Sequence, residues 1–168
     1  TVPLILQDCK VPVENVLGEV GKGHRIAFNV LNVGRWKLGA ACMGSCKRLI
    51  EFTSKYIKER HQFGKPIASF QALREKLAND VIRTYLLESL IYNYASALDS
   101  ACATLDKSSP DYYKQVVKKI KGLNIEASIA KVYGSESSHI VSDDAVQMYG
   151  GYGFIQDYPP EQFYRDNR

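Results

Sequence analysis

The chain has 168 residues, of which 45% are hydrophobic and 24% are charged, and its formal net charge is +4. This balance is typical of a globular domain that can bury a core, and it excludes an intrinsically disordered tail. The basic residues are interleaved with acidic ones and no apolar run approaches the roughly 18 residues of a membrane span, so neither a nucleic-acid-binding module nor a membrane-spanning segment is predicted.

The first 23 residues differ in composition from the rest of the chain. They are rich in Val, Leu and Pro, and they close on Gly18, Gly21 and Gly23. This pattern predicts a β-strand followed by an exit loop. We therefore expect residues 1–23 to be the end of a β-domain and residues 24–168 to form a separate helical domain.

From His24 onward the hydrophobic period becomes helical. Leu49, Phe52, Thr53, Tyr56 and Ile57 recur at helical spacing, and the pattern runs back through Leu38, Leu31 and Ile26. The spacing predicts one helix of about 35 residues, a length that is typical of helical bundles. Gly64 and Pro66 end it, because proline supplies no backbone donor and restricts the residue before it.

A second helix is predicted from Ser69, a favourable N-cap residue, to about Asp99. Its expected apolar stripe consists of Phe70, Leu73, Leu77, Val81 and Tyr85. The polar stretch at 103–114 is rich in turn-forming residues and predicts a loop before the next helix.

The third helical tract is predicted from about Tyr112 to Met148, with Gly122 as a candidate interruption. Its middle is lined by small residues that allow a close helix approach: Ser128, Ala130, Gly134, Ser135, Ser137 and Ser138. Pro159 and Pro160 then begin a fourth helix, which we expect to be truncated at Arg168. The predicted fold is all-α, an antiparallel four-helix bundle with a short N-terminal β stub.

The four cysteines do not predict a metal site. Cys42 and Cys46 are four residues apart and share a helix face, whereas Cys9 and Cys102 are isolated. No second close pair and no nearby histidine completes a tetrahedral set. Reduced and mostly buried thiols are expected instead.

Several short motifs occur in order along the chain: V-P-V-E-N-V-L-G at 11–18, N-V-G-R at 32–35, R-H-Q-F-G-K-P-I at 60–67, F-Q at 70–71, Q-M-Y-G-G-Y-G-F at 147–154 and Y-R-D at 164–166. Together they resemble the acyl-CoA dehydrogenases. The first motif is similar to the last strand of that family's middle β-domain, and the others to its C-terminal helical domain. The likeness covers essentially the whole chain and is closest to very-long-chain-type and bacterial long-chain members.

Two of these motifs have the chemistry of a nucleotide site. Arg60 can fork onto a phosphate, and glycines let a ligand approach the backbone closely. In the family the matching Arg and Phe reach across a dimer to the FAD of the neighbouring subunit. The resemblance implies FAD contacts from Arg60, Gln62, Phe63, Gln71, Gln147, Gly150 and Gly151. From the residues alone, an exposed cation and a glycine stop at two helix ends explain the same pattern.

The first helix is implied to border the substrate. By resemblance, Asn32 contacts the pantetheine of a fatty acyl-CoA and Arg35 lies near the thioester. A structural salt bridge is the alternative for Arg35.

No catalytic residue can be assigned. Some family members carry a catalytic Glu beside the matching Arg, where this chain has Gly34. Most others carry it in an E-G-T motif shortly after Y-R-D, which would fall beyond Arg168. The isolated chain is therefore expected to be inactive.

The resemblance implies α,β-dehydrogenation of a fatty acyl-CoA to a trans-2-enoyl-CoA, with a carboxylate removing the α-proton and the flavin accepting the β-hydride. Implied partners are an electron-transfer flavoprotein and further copies of the chain, as a homodimer or a dimer of dimers. The expected location is the bacterial cytoplasm or the mitochondrial matrix. An acyl-CoA oxidase-like flavoenzyme and a non-catalytic helical scaffold are the alternatives.

Overall fold

The computed structural model describes residues 2–167, and this range is mostly helical. It contains five helices: α1 (Gly23–Glu59), α2 (Gln71–Ala103), α3 (Tyr112–Gly122), α4 (Asn124–Tyr149) and α5 (Pro159–Asp166). Two short strands, β1 (His61–Gln62) and β2 (Lys65–Pro66), lie between α1 and α2. The predicted helical bundle is confirmed.

Helices α1 and α2 run antiparallel, as their side-chain contacts show. Trp36 of α1 stacks on Tyr94 of α2, with ring centroids 5.5 Å apart. Further along α1, Cys42 packs in the same cluster as Leu87, which lies earlier in α2. The two helices therefore form a long hairpin with a continuous shared core.

Helix α4 runs parallel to α1 and packs against it more closely than any ordinary side chain permits. A Cβ built on Gly39 would lie 2.7 Å from the Ala130 carbonyl oxygen, and one built on Gly134 would lie 2.9 Å from the Cα of Gly39. The predicted role of the small residues in α4 is confirmed for Ala130, Gly134, Ser137 and Ser138, which are buried, whereas Ser128 and Ser135 are only partly buried.

The third predicted tract consists of two helices. Helix α3 ends at Gly122 and α4 begins at Asn124, because Leu123 has φ −106° and ψ 25°, outside the helical region. The predicted interruption at Gly122 is confirmed to within one residue.

Helix α2 corrects the sequence analysis in two respects. It begins at Gln71 after a short 3₁₀ turn at Ile67–Ser69, and the Ser69 hydroxyl donates to the Pro66 carbonyl instead of capping the helix. The predicted stripe is wrong beyond Leu77, since Val81 and Tyr85 are 48% and 68% exposed. The buried face passes instead through Asp80, Thr84, Leu87, Ile91 and Tyr94.

The predicted β stub is not present in the described residues. Residues 2–12 contain no strand, and the only pairing between strands at 2–167 joins β1 to β2. A strand needs a neighbour to satisfy its backbone groups, and no other described segment offers one to residues 2–12. The apolar side chains of Val2, Leu4 and Ile5 are each more than four-fifths exposed.

The first half of the predicted α1 stripe also differs from expectation. Leu31 and Leu38 are 50% and 44% exposed, whereas Leu49, Thr53 and Ile57 are buried as predicted. Asn32 and Gly39 are the buried residues in the first half of α1. Polar and small residues thus occupy the inner face there.

A buried carboxyl group lies in the middle of the bundle. Asp80 is 1% exposed and its Oδ1 has no hydrogen-bond partner. On α4, Asp144 pairs with Lys76 one turn earlier in α2. Burial, and then the nearby charge of Asp144, raise the pKa of Asp80 to about 8, although Lys76 opposes the shift.

We expect this group to make the fold less stable as the pH rises. In the folded chain Asp80 keeps its proton up to about pH 8, whereas an unfolded Asp loses it near pH 4. Between these values the folded state binds the extra proton, so the free energy of unfolding should fall by about 1 kcal/mol per pH unit. Urea unfolding from pH 5.5 to 7.5 measures this slope, and Asp80→Asn should flatten it. An equal slope in the variant would contradict the assignment.

Candidate functional site

A two-residue hairpin follows α1 and displays an aromatic side chain. His61 pairs with Pro66 and Gln62 with Lys65 in antiparallel register, leaving Phe63 and Gly64 as the turn. Their φ angles are 55° and 76°, and two positive values in a two-residue loop are typical of a type I′ turn. Gly64 adopts this conformation freely, but a bulky residue such as Phe63 does so only under strain.

Arg60 and Phe63 do not share a helical turn. Helix α1 ends at Glu59, and Arg60 is extended, with φ −77° and ψ 123°. The Phe63 side chain is 90% exposed and meets only the edge of Phe70, at 6.0 Å between centroids. A strained backbone at an exposed aromatic residue indicates that Phe63 has a role other than stabilising the fold.

A cavity of about 500 Å³ lies between this hairpin and the end of α4. Five residues predicted for cofactor contact line it: Arg60, Gln62, Gln147, Gly150 and Gly151. They come from segments more than 80 residues apart in sequence, and the bundle brings them together. Gln71 begins α2, and neither it nor Phe63 is among the lining residues.

Stacked tyrosines form one side of this cavity, and the sequence analysis missed them. The rings of Tyr56 and Tyr149 are stacked, with centroids 3.9 Å apart and planes almost parallel, at 9°. Tyr152 stacks on Tyr158 at 5.0 Å, and the Arg60 guanidinium lies 5.4 Å from the Tyr152 ring centroid. The signal was available, because three of these four tyrosines occur within residues 149–158.

Burial moves the pKa of these phenols further above neutral pH. Burial raises the pKa of Tyr149 and that of Tyr56, where the Arg60 cation partly opposes it. The Tyr56 hydroxyl donates to the Tyr149 carbonyl, and the Tyr149 hydroxyl donates to the Phe52 carbonyl, both at 3.3 Å. These bonds fix the rings and tie α1 to the end of α4.

The glycine loop after α4 leaves backbone open to the cavity. Gly150 has φ 59° and ψ −136°, a conformation that side chains disfavour, and it ends α4. A Cβ on Gly150 or Gly151 would meet nothing within 4 Å. Gly153 differs, since its Cβ would lie 2.5 Å from the Val146 carbonyl oxygen. The loop is thus held against α4 at one end and open at the other.

These groups suit an anionic ligand that carries a flat ring. Within residues 2–167, Arg60 forms no ion pair, so its forked donors are available to a phosphate. The tyrosine faces offer stacking surfaces, and Gln62 and Gln147 offer amide donors and acceptors.

Asn32 and Arg35, the residues predicted to contact substrate, lie together at a second cavity of about 780 Å³ beside the first half of α1. Arg35 Nη1 donates to Asn32 Oδ1 at 2.9 Å, and Asn32 is 7% exposed. The partner of Arg35 in the described chain is thus an amide instead of the carboxylate that a salt bridge would need. Asn32 orients the guanidinium toward the cavity.

Neither cavity is lined by an aspartate or a glutamate among the described residues. Over the same range, no three His, Cys, Asp or Glu side chains come together as a candidate metal site. None of the helices at 2–167 has the length and apolar character needed to cross a membrane. Among the described residues, the two cavities therefore offer binding groups but no carboxylate base.

Comparison with known proteins gives a consistent result. The family model described as the acyl-CoA dehydrogenase C-terminal domain matches residues 21–168. A probable acyl-CoA dehydrogenase of Bacillus subtilis (strain 168) is 42% identical over 165 residues, covering 98% of this chain and 28% of the relative. A subunit of the caffeyl-CoA reductase–Etf complex of Acetobacterium woodii is 38% identical over 168 residues, which is 39% of its length.

A solved structure shares the fold closely. The crystal structure of an acyl-CoA dehydrogenase complexed with FAD from Bacillus anthracis superposes with a TM-score of 0.94 at 46% identity. The match covers 98% of this chain and 28% of that one. The chain thus spans between about a quarter and two fifths of the length of these relatives.

Proposed function

The chain belongs to the acyl-CoA dehydrogenase family as its C-terminal helical domain, and from this we propose that it supplies part of the FAD site, one wall of the acyl-CoA channel and the subunit contacts of such an enzyme. The observation that carries the proposal is the convergence of Arg60, Gln62, Gln147, Gly150 and Gly151 on one cavity. When bound, FAD supplies the two-electron oxidation that converts a saturated acyl-CoA to a trans-2-enoyl-CoA.

The cavity residues contact different parts of the FAD molecule. Arg60 forks onto the pyrophosphate, and its exposed position costs little desolvation before the ligand arrives. Gly150 and Gly151 let the ligand approach the backbone, while Gln62 and Gln147 hydrogen-bond its polar edges. The pair Tyr56 and Tyr149 holds the loop in place.

Phe63 and Gln71 extend the site beyond this chain. Phe63 is strained and 90% exposed at the hairpin tip, and Gln71 is an exposed residue at the start of α2. Neither lines the cavity, so we place both against the adenosine end of an FAD held mainly by a second copy of the chain. A homodimer, alone or within a dimer of dimers, is the assembly that this requires.

At the second cavity, Asn32 and Arg35 orient the substrate. Asn32 is fixed by its bond to Arg35 and presents its amide to the pantetheine arm. Arg35 lies toward the thioester end. We place the carboxylate that removes the α-proton outside this chain, and the lining of this cavity supports the placement because its described residues include no acidic side chain. Electrons pass onward to an electron-transfer flavoprotein, the kind of partner that the name of the Acetobacterium woodii relative includes.

The test compares this chain with the full-length protein that contains it. Anaerobic addition of a saturated acyl-CoA should bleach the flavin absorbance of the full-length holoprotein and yield the enoyl-CoA. The purified 168-residue chain should show no turnover and should retain little FAD, because it lacks both the base and most of the cofactor site.

Turnover by the 168-residue chain would contradict the proposal that the base and most of the cofactor site lie outside it. No bleaching in the full-length protein would favour a non-catalytic scaffold. Rapid reoxidation of its reduced flavin by oxygen would identify an acyl-CoA oxidase.

A further inference from the structure

The second cavity extends well beyond Asn32 and Arg35, toward the start of α1. Its lining also includes Arg25 of α1, Lys121 in the last turn of α3 and Asn124 at the start of α4. Three helices therefore contribute to the cavity, and α1 and α3 both contribute cations.

Within the described chain, no acidic side chain neutralises the positive charge of this cavity. Its lining includes Arg25, Arg35 and Lys121 but no carboxylate. None of the ion pairs found within residues 2–167 involves these three side chains. Asn29, which also lines the cavity, has a buried Oδ1 without a hydrogen-bond partner. Cations gathered in a cleft without an internal anion favour an anionic ligand.

The cations are spaced along one helix face. Arg25, Phe28, Asn32 and Arg35 recur at three- and four-residue intervals and all line the cavity. Arg25 and Arg35 are ten residues apart, which is about 15 Å along the axis of α1. Lys121 adds a further positive charge from α3, and Asn124 adds a polar side chain from the start of α4.

An acyl-CoA has a matching distribution of charge. Its thioester is uncharged, and an extended, uncharged pantetheine arm separates it from a pyrophosphate and a ribose phosphate. Resting on the function proposed above, we propose that Arg25 and Lys121 bind the phosphates at the nucleotide end of acyl-CoA, while Asn32 and Arg35 face its thioester end. The apolar side of Phe28 then lies along the arm between them.

This assignment makes α3 a specificity element. Lys121 would select substrates that carry the phosphorylated nucleotide over thioesters that end at the pantetheine arm. Lys118 provides a matched control, because it is also a lysine of α3 but does not line this cavity.

The experiment uses the full-length holoenzyme and two substrates with the same acyl chain, an acyl-CoA and the acyl-pantetheine thioester that lacks phosphates. Lys121→Gln and Arg25→Gln should each raise the ratio of the KM for acyl-CoA to the KM for acyl-pantetheine by about threefold, and the double variant by about tenfold. The same variants should weaken the salt dependence of the KM for acyl-CoA.

Lys118→Gln should leave the ratio within about twofold of wild type. The proposal is overturned if Lys118→Gln acts like Lys121→Gln, or if the ratio does not change in the Lys121→Gln variant. The latter result is expected if these cations instead pair with carboxylates of another domain. Failure of the wild-type enzyme to oxidise either thioester would overturn the proposed function itself, so the two failures are distinguishable.

Discussion

Replacing Arg60 by alanine in the full-length protein should weaken FAD binding by about tenfold to a hundredfold. The expected loss corresponds to about 1.5–3 kcal/mol, the range for a hydrogen bond to a charged group. Arg60 has no carboxylate partner among residues 2–167 and lines the cavity between the hairpin and α4. Its removal therefore takes away a ligand contact without exposing an unpaired partner in this chain.

The measurement is the dissociation constant of FAD from reconstituted apoprotein, with flavin fluorescence as the readout. Arg60→Lys keeps the charge but loses the planar fork, so it should recover only part of the affinity. Lys58→Ala is the matched control, since it removes an exposed cation from the last turn of α1 and Lys58 does not line the cavity. An equal loss of affinity in Lys58→Ala would show a general charge effect instead of a contact.

Replacing Gly39 by alanine should lower the free energy of unfolding by about 1–3 kcal/mol. The added Cβ would lie 2.7 Å from the Ala130 carbonyl oxygen and 2.9 Å from the end of Ile91. The side chain of Ile91 can move, but the backbone of α4 cannot without displacing the helix. The higher helix propensity of alanine offsets only about 0.5–1 kcal/mol of this cost.

Thermal and urea unfolding of the wild-type and variant proteins measure the effect. Gly44→Ala supplies the control, because Gly44 is also inside α1 but is exposed, and a Cβ there would meet nothing within 4 Å. That variant should be more stable by about 0.5–1 kcal/mol. If both substitutions changed stability in the same direction, the close approach of α1 and α4 would not be the cause.

The long helices were predictable because their buried residues are mostly apolar and evenly spaced. Leu49, Thr53 and Ile57 define the inner face of α1 as the sequence indicated. The same reasoning failed in α2, where the inner face continues from Leu77 to Asp80 and Thr84. A spacing of three and four residues includes these two positions, but both side chains are polar. The apolar stripe was therefore predicted through Val81 and Tyr85.

The candidate site was predictable in its residues but less so in its geometry. The motifs identified five of the residues that line the cavity, because a motif is defined by residue types and their spacing and not by backbone angles. The position of Phe63 could not be derived, since a type I′ turn places a positive φ on a residue type that rarely adopts one. The strand predicted within the first 23 residues has no partner in the described chain, because its expected neighbours belong to a β-domain and strand formation depends on such a partner.

The contact between Gly39 and Gly134 also has a consequence for how the chain is made. The two glycines touch, yet all of α2 and α3 separates them in sequence. At translation rates of about 5–20 residues per second, roughly 5–20 s pass between the synthesis of one and that of the other. The α1–α2 hairpin can pair in this interval, but the flat strip of α1 around Gly39 stays uncovered until α4 is complete. The residues that allow this close packing in the finished bundle therefore leave an open surface on the nascent chain.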